Sequence, residues 1–83
     1  MKATRQEVYA AIDTERDYQE TLPRNDVKQQ TQMEHLAIIE RICRDMNNAW
    51  YDKAGQPSLD FMRKIAGVAV RCMEQHGAPR RMR

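Results

Sequence analysis

Five consecutive residues, Glu15-Arg16-Asp17-Tyr18-Gln19, place an acceptor, a forked cationic donor, an aromatic plate and an amide within two helical turns. Such a set suits a planar polar ligand. Arginine holds phosphate or carboxylate bidentately, a ring stacks on a base, and an amide reads a base edge. The cations that could complete a phosphate site lie far along the chain, at Arg63, Lys64 and Arg80. Trp50 supplies a second possible stacking ring. The candidate ligand-binding set is therefore Arg16, Tyr18, Gln19, Trp50, Arg63, Lys64 and Arg80. Glu15 is the exception, because it sits on the apolar stripe of its helix between Ile12 and Tyr18. A buried carboxylate needs a partner. Arg63, Lys64 and Arg41 are the candidates for Glu15, which makes it a structural polar residue.

Other chemistries find less support. His35 and Cys43 are eight residues apart, Cys72 and His76 four, and no second pair completes a zinc-type set. No metal ligands and no catalytic residues are assigned, and no cofactor is expected. Neither cysteine has an evident activating base. With three glycines in the chain, a phosphate-cradling glycine loop is missing. Both cysteines fall among apolar neighbours within helical patterns, so they read as reduced, buried thiols.

The elements that position these residues are three helices. Thr4-Arg5-Gln6-Glu7 is a capping box opening a helix over about residues 5–21, which stops before Pro23. Residues 22–31 form a polar connector. A second box, Thr31-Gln32-Met33-Glu34, opens a helix over about 32–53, with Gly55 and Pro57 as stop signals. Its main apolar stripe is Leu36, Ile39, Cys43, Met46 and Trp50, flanked by Ile38, Ile42 and Ala49. Trp50 reads as core and Tyr51 as rim. Ser58 caps a third helix over about 59–76, closed by Gly77 and Pro79 and followed by a basic tail, 77–83. The fold class is all-α, a single domain over 1–83 in which helices 2 and 3 form a hairpin with helix 1 packed across it.

Helix 3 is apolar around most of its circumference. Leu59, Met62, Ala66, Ala69 and Met73 form one stripe, and Phe61, Ile65, Val68 and Cys72 another. A helix of that kind is buried on most sides, and an 83-residue chain has little else with which to bury it. Self-association into a homo-oligomer is the expectation, with Ala66, Gly67 and Ala69 allowing close helix approach.

Net charge is +2, unevenly placed: from Arg63 onward six Lys/Arg face one acid, Glu74. That asymmetry suits an anionic partner. A basic tail without a recognition helix is thin ground for nucleic-acid binding. No leader-like or membrane-length apolar run occurs, so the expected setting is the cytoplasm.

The segments AIDTERDYQETLPR, NAWYDKAG and LDFMRKIAGVAVRCMEQHGAPRR together resemble a group of short proteins encoded by tailed bacteriophages and prophages. The resemblance spans nearly the whole chain and is most specific at Glu15–Gln19 and Arg63–Arg80. It implies a viral accessory protein acting in the host cytoplasm. By analogy with small helical phage proteins, it suggests a non-enzymatic counter-defence sponge, an oligomer sequestering a cyclic-nucleotide or ADP-ribose type signal. The alternative is an inhibitor that binds a host defence enzyme or nuclease complex. A third reading is a degenerate relative of MazG-type nucleotide pyrophosphohydrolases, whose clustered helix acids this chain lacks.

Overall fold

The computed structural model describes residues 2–22, 29–52 and 58–82. Three helices account for most of them: α1 (Arg5–Glu20), α2 (Gln32–Asp52) and α3 (Asp60–His76).

Both capping boxes form. The Glu7 N–H donates to Thr4 Oγ1 at 3.1 Å while Glu7 Oε1 accepts the Thr4 N–H at 2.8 Å. Thr31 and Glu34 repeat the pattern at 3.0 and 2.7 Å. Each box satisfies two N–H groups that a helix start leaves without partners. At α3 the start differs slightly from the expectation. Ser58 Oγ accepts the Asp60 N–H at 3.0 Å, but Leu59 occupies the cap position and the helix begins at Asp60. Gly77 closes α3 with φ 122°, and its N–H donates to the Met73 carbonyl at 2.8 Å. That left-handed φ favours glycine. The stop signals Gly55 and Pro57, and the connector positions 23–28, lie outside the described residues.

The architecture is a spine with two flanking helices. α1 and α2 each pack on α3, and among the described residues they do not pack on each other. Where α2 and α3 pack, Ile38, Ile39, Ile42, Met46 and Ala49 of α2 and Phe61, Ile65 and Cys72 of α3 are half-buried and Val68 is buried, so this side of the spine is largely apolar. Thus the stripe that read as secondary, Ile38–Ile42–Ala49, is the one turned toward α3. Much of the expected main stripe faces outward: Leu36 and Cys43 are exposed, and Trp50 is 51% exposed rather than core. Both cysteines are free thiols, and Cys72 is half-buried.

The interior inverts the usual distribution. Val68 is the one fully buried apolar side chain among the described residues, whereas Glu15, Arg16, Gln19, His35 and Arg71 are all buried. Lysine, arginine and glutamate are rarely buried unless paired. Large apolar side chains lie outside instead: Leu36, Trp50, Leu59, Met62 and Met73 are exposed.

Candidate functional site

The buried polar residues form one seam between α1 and α3. Positions 15, 16 and 19 occupy one face of α1, as the 3.6-residue repeat requires. They meet α3 where it carries Arg63, Gly67 and Glu74. Gly67 makes the approach possible: a Cβ there would fall 2.6 Å from Glu15 Cγ and 2.8 Å from Gln19 Nε2.

Around this crossing the polar groups are linked in series. Arg63 donates from Nη1 to Asp60 and from Nε to Glu15 Oε1 at 3.0 Å. The other Glu15 oxygen accepts from Gln19 Nε2 at 3.4 Å. Gln19 Oε1 in turn accepts from Arg16 Nη1 at 3.1 Å. Arg16 then grips Glu74 with Nε at 3.0 Å and Nη2 at 2.5 Å, and reaches Glu20 with Nη2 at 2.8 Å. The path runs from the start of α3, across α1, and back to the end of α3. Among the described residues no buried side-chain nitrogen or oxygen lacks a hydrogen-bond partner.

Electrostatics follow the pairing. The Arg16 hydrogen bonds hold the Glu74 carboxyl below its ordinary value, and Glu74 holds the Arg16 guanidinium firmly protonated. Glu15 does the same for Arg63, with Asp60 adding to it. Asp60 is lowered in return, first by the Arg63 hydrogen bond.

A second polar cluster ties α2 to the end of α3. His35, 1% exposed, accepts from Arg71 Nε at its Nε2 (3.3 Å), which assigns the ring proton to Nδ1 and its bond to the Thr31 carbonyl at 2.9 Å. Arg71 Nη2 also donates to Gln30 Oε1 at 3.1 Å. The Gln30 N–H donates to Gln75 Oε1 at 3.0 Å, and His76 Nε2 donates to the Gln30 carbonyl at 2.6 Å. The two histidine rings meet edge to face, centroids 6.0 Å apart. Residues 71, 74, 75 and 76 of α3 therefore each reach another part of the chain.

Of the sequence-derived candidates, Arg16, Gln19 and Arg63 come together, with Glu15 between them; of the three cations anticipated for Glu15, Arg63 is the one that pairs with it. Their donors are engaged within the chain. Tyr18 and Trp50 stand on separate helices with exposed rings. Lys64 is exposed with its ammonium 5.7 Å from the Phe61 ring centroid, and Arg80 is exposed beyond Gly77. Gln30, His35, Arg71, Glu74 and Gln75 are the participants that sequence reasoning missed. One signal was available: His35 precedes Ile38, Ile42 and Ala49 at helical spacing, which places it on the face packed against α3. Among the described residues no three His, Cys, Asp or Glu side chains gather as a metal site, and no helix is long and apolar enough to cross a membrane.

A separate feature lies on the other side of α3. A shallow groove of about 370 Å³ runs between α2 and α3, lined largely by Met33, Leu36, Ile39, Ala69, Cys72 and Met73. Its walls are apolar and it opens broadly to solvent. No protein-family model, curated protein or solved structure matches the chain.

Proposed function

We propose that this chain is a non-enzymatic accessory protein, of the kind tailed phages encode, that works by binding protein and does so as a homo-oligomer. The observation that carries this reading is the inverted interior. Charged side chains are matched with one another inside, while apolar side chains, Leu36, Trp50, Met62 and Met73 among them, are exposed. Large exposed apolar patches mark interaction surfaces. The guanidinium groups best placed for phosphate, Arg16 and Arg63, are occupied by carboxylates, so a nucleotide would have to displace intramolecular ion pairs. A host defence enzyme or nuclease complex is the partner class this reading supports.

Sequestration of an anionic nucleotide is the second reading. It draws on the exposed rings of Tyr18 and Trp50 and the exposed cations Lys64 and Arg80. One measurement tests the assembly that both readings share, and a second separates the readings. Light scattering at micromolar concentration should give a mass at least twice the 9.8 kDa chain mass. A thermal-shift panel of cyclic dinucleotides and ADP-ribose derivatives should leave the melting temperature unchanged. A monomer mass refutes the assembly. A shift of several degrees, with the ligand recovered intact on denaturation, hands the function to the nucleotide reading.

A further inference from the structure

We infer that the contact between His35 and Arg71 is an acid-operated latch: a proton taken up at His35 Nε2 releases residues 29–31 and the start of α2 from the end of α3.

The latch is set by one buried ring. His35 Nδ1 donates to the Thr31 carbonyl at 2.9 Å, so Nε2 carries the lone pair, and Arg71 Nε donates to it at 3.3 Å. A protonated imidazole is a donor at both nitrogens. Protonation therefore sets an N–H of His35 against the N–H of Arg71, and turning the ring over presents a donor again. It also puts two positive groups in contact where both side chains are buried. Like charges held together away from water are costly.

The surroundings make this one-sided. From α3 the ring faces Arg71 and, edge to face, His76. On its own helix the adjacent acid is Glu34, whose Oε1 accepts the Thr31 N–H. Glu74, three residues beyond Arg71, is gripped by Arg16. Among the described residues the ion pairs join Arg16 and Arg63 to carboxylates, and none includes His35. His76 behaves differently. Its Nε2 donates to the Gln30 carbonyl at 2.6 Å, a bond that a protonated ring keeps.

What the latch holds is the entry to α2. Arg71 joins His35 to Gln30, whose N–H donates to Gln75 Oε1, and Gln29 Nε2 donates to the Gln75 carbonyl at 2.8 Å. Displacing Arg71 loosens both of its partners. The apolar packing around Val68 is not part of this circuit, so the opening is confined to one end of the pair of helices.

Hydrogen exchange of backbone amides reads the latch. The probes are the N–H groups of Gln30 and His35, which donate to Gln75 Oε1 and the Thr31 carbonyl. A histidine in water titrates near pH 6.5, so between pH 7.5 and 5.5 an opened state that alone takes the proton gains about tenfold in weight. The protection factors of both amides should fall by about that factor over this interval, which lies above the ordinary carboxylate range. His35→Gln supplies a carboxamide that can accept from Arg71 and does not titrate, and should remove the fall. His76→Gln should keep it. Nitrogen-15 spectra of the unaltered chain at pH 7.5 should place the His35 ring proton on Nδ1, a result that stands on its own where His35→Gln fails to fold. A proton on Nε2 at that pH overturns the inference, as does protection that is equal at the two pH values. A fall that persists in His35→Gln, or disappears in His76→Gln, assigns the sensitivity to another group and overturns it too.

Discussion

Gly67 decides how closely α1 approaches the spine. A methyl group there would meet Glu15 Cγ at 2.6 Å, and Glu15 is held by Arg63, so the side chain has little freedom to withdraw. Alanine gains about 1 kcal/mol over glycine in a helix interior, whereas overpacking costs about 1–3 kcal/mol. Gly67→Ala should lose about 1 kcal/mol net, the balance of those two effects. Gly67→Leu should lose more. Urea denaturation measures both, and a stabilised Gly67→Ala variant would show that α1 moves aside without cost. Glu74 governs acid stability. Its carboxyl is lowered in the folded chain by Arg16, so the contribution is complete above the ordinary carboxylate value of 4.5 and is lost as pH falls through the folded value. Glu74→Gln should flatten this part of the acid limb below pH 4.5 in urea titrations. Asp60 and Glu7, lowered for their own reasons, leave a residual slope of the same sign.

At the scale of the element, helix starts were the most legible feature of the sequence. Both capping boxes are local, involving four residues each, and both appear as read. Thr4→Ala and Thr31→Ala should each cost about 1 kcal/mol of unfolding free energy. Ser58→Ala should cost less, because Ser58 lies one residue ahead of the cap position and satisfies one N–H. The facing of α2 was less legible. Two apolar stripes compete on that helix, and apolar periodicity favours Leu36–Cys43–Trp50. What settles the contest is His35, whose ring and the facing Arg71 satisfy each other only when the Ile38–Ile42 side turns inward. A polar residue on an apolar face was the informative signal, and its partner lies 36 positions away. The α1–α3 seam was half legible for the same reason. The need of Glu15 for a cation could be read from its own stripe. That Arg16 pairs with Glu74, 58 positions away, depends on how the helices cross, which spacing alone does not encode.

The whole molecule is organised around α3, and this bears on what binding can do. In the proposed assembly the Glu15–Gln19 segment of α1 and its partners on α3, Arg63 and Glu74, act as internal fastenings within each chain. Arg16→Ala should then lower stability by about 2 kcal/mol, the range for charge-assisted hydrogen bonds, without changing the mass of the folded species. Sedimentation of the folded fraction checks this. A monomer produced by Arg16→Ala at a pH and temperature where the helices persist would place the seam in the interface. The candidate set was thus legible as residue types but not in its ion pairs, since the same guanidinium that suits a phosphate also suits a glutamate brought from the far end of the chain.

One consequence of the separate attachment of α1 concerns time rather than place. Every fully buried side chain of α1 is polar, and the helix makes no packing contact with α2 among the described residues. The two arms therefore leave the spine under different control: α2 is retained by apolar burial, α1 largely by charge. Exposed ends of ion pairs are screened by added salt, whereas apolar burial is not weakened by it. Under native conditions α1 should open as its own cooperative unit. Its amide protons should exchange with deuterium faster at 0.5 M sodium chloride than at low salt, on the order of severalfold, if charge screening controls the opening. The amides of α2 and α3 should hold their rates. Uniform acceleration across all three helices would instead mean that the chain opens only as a whole.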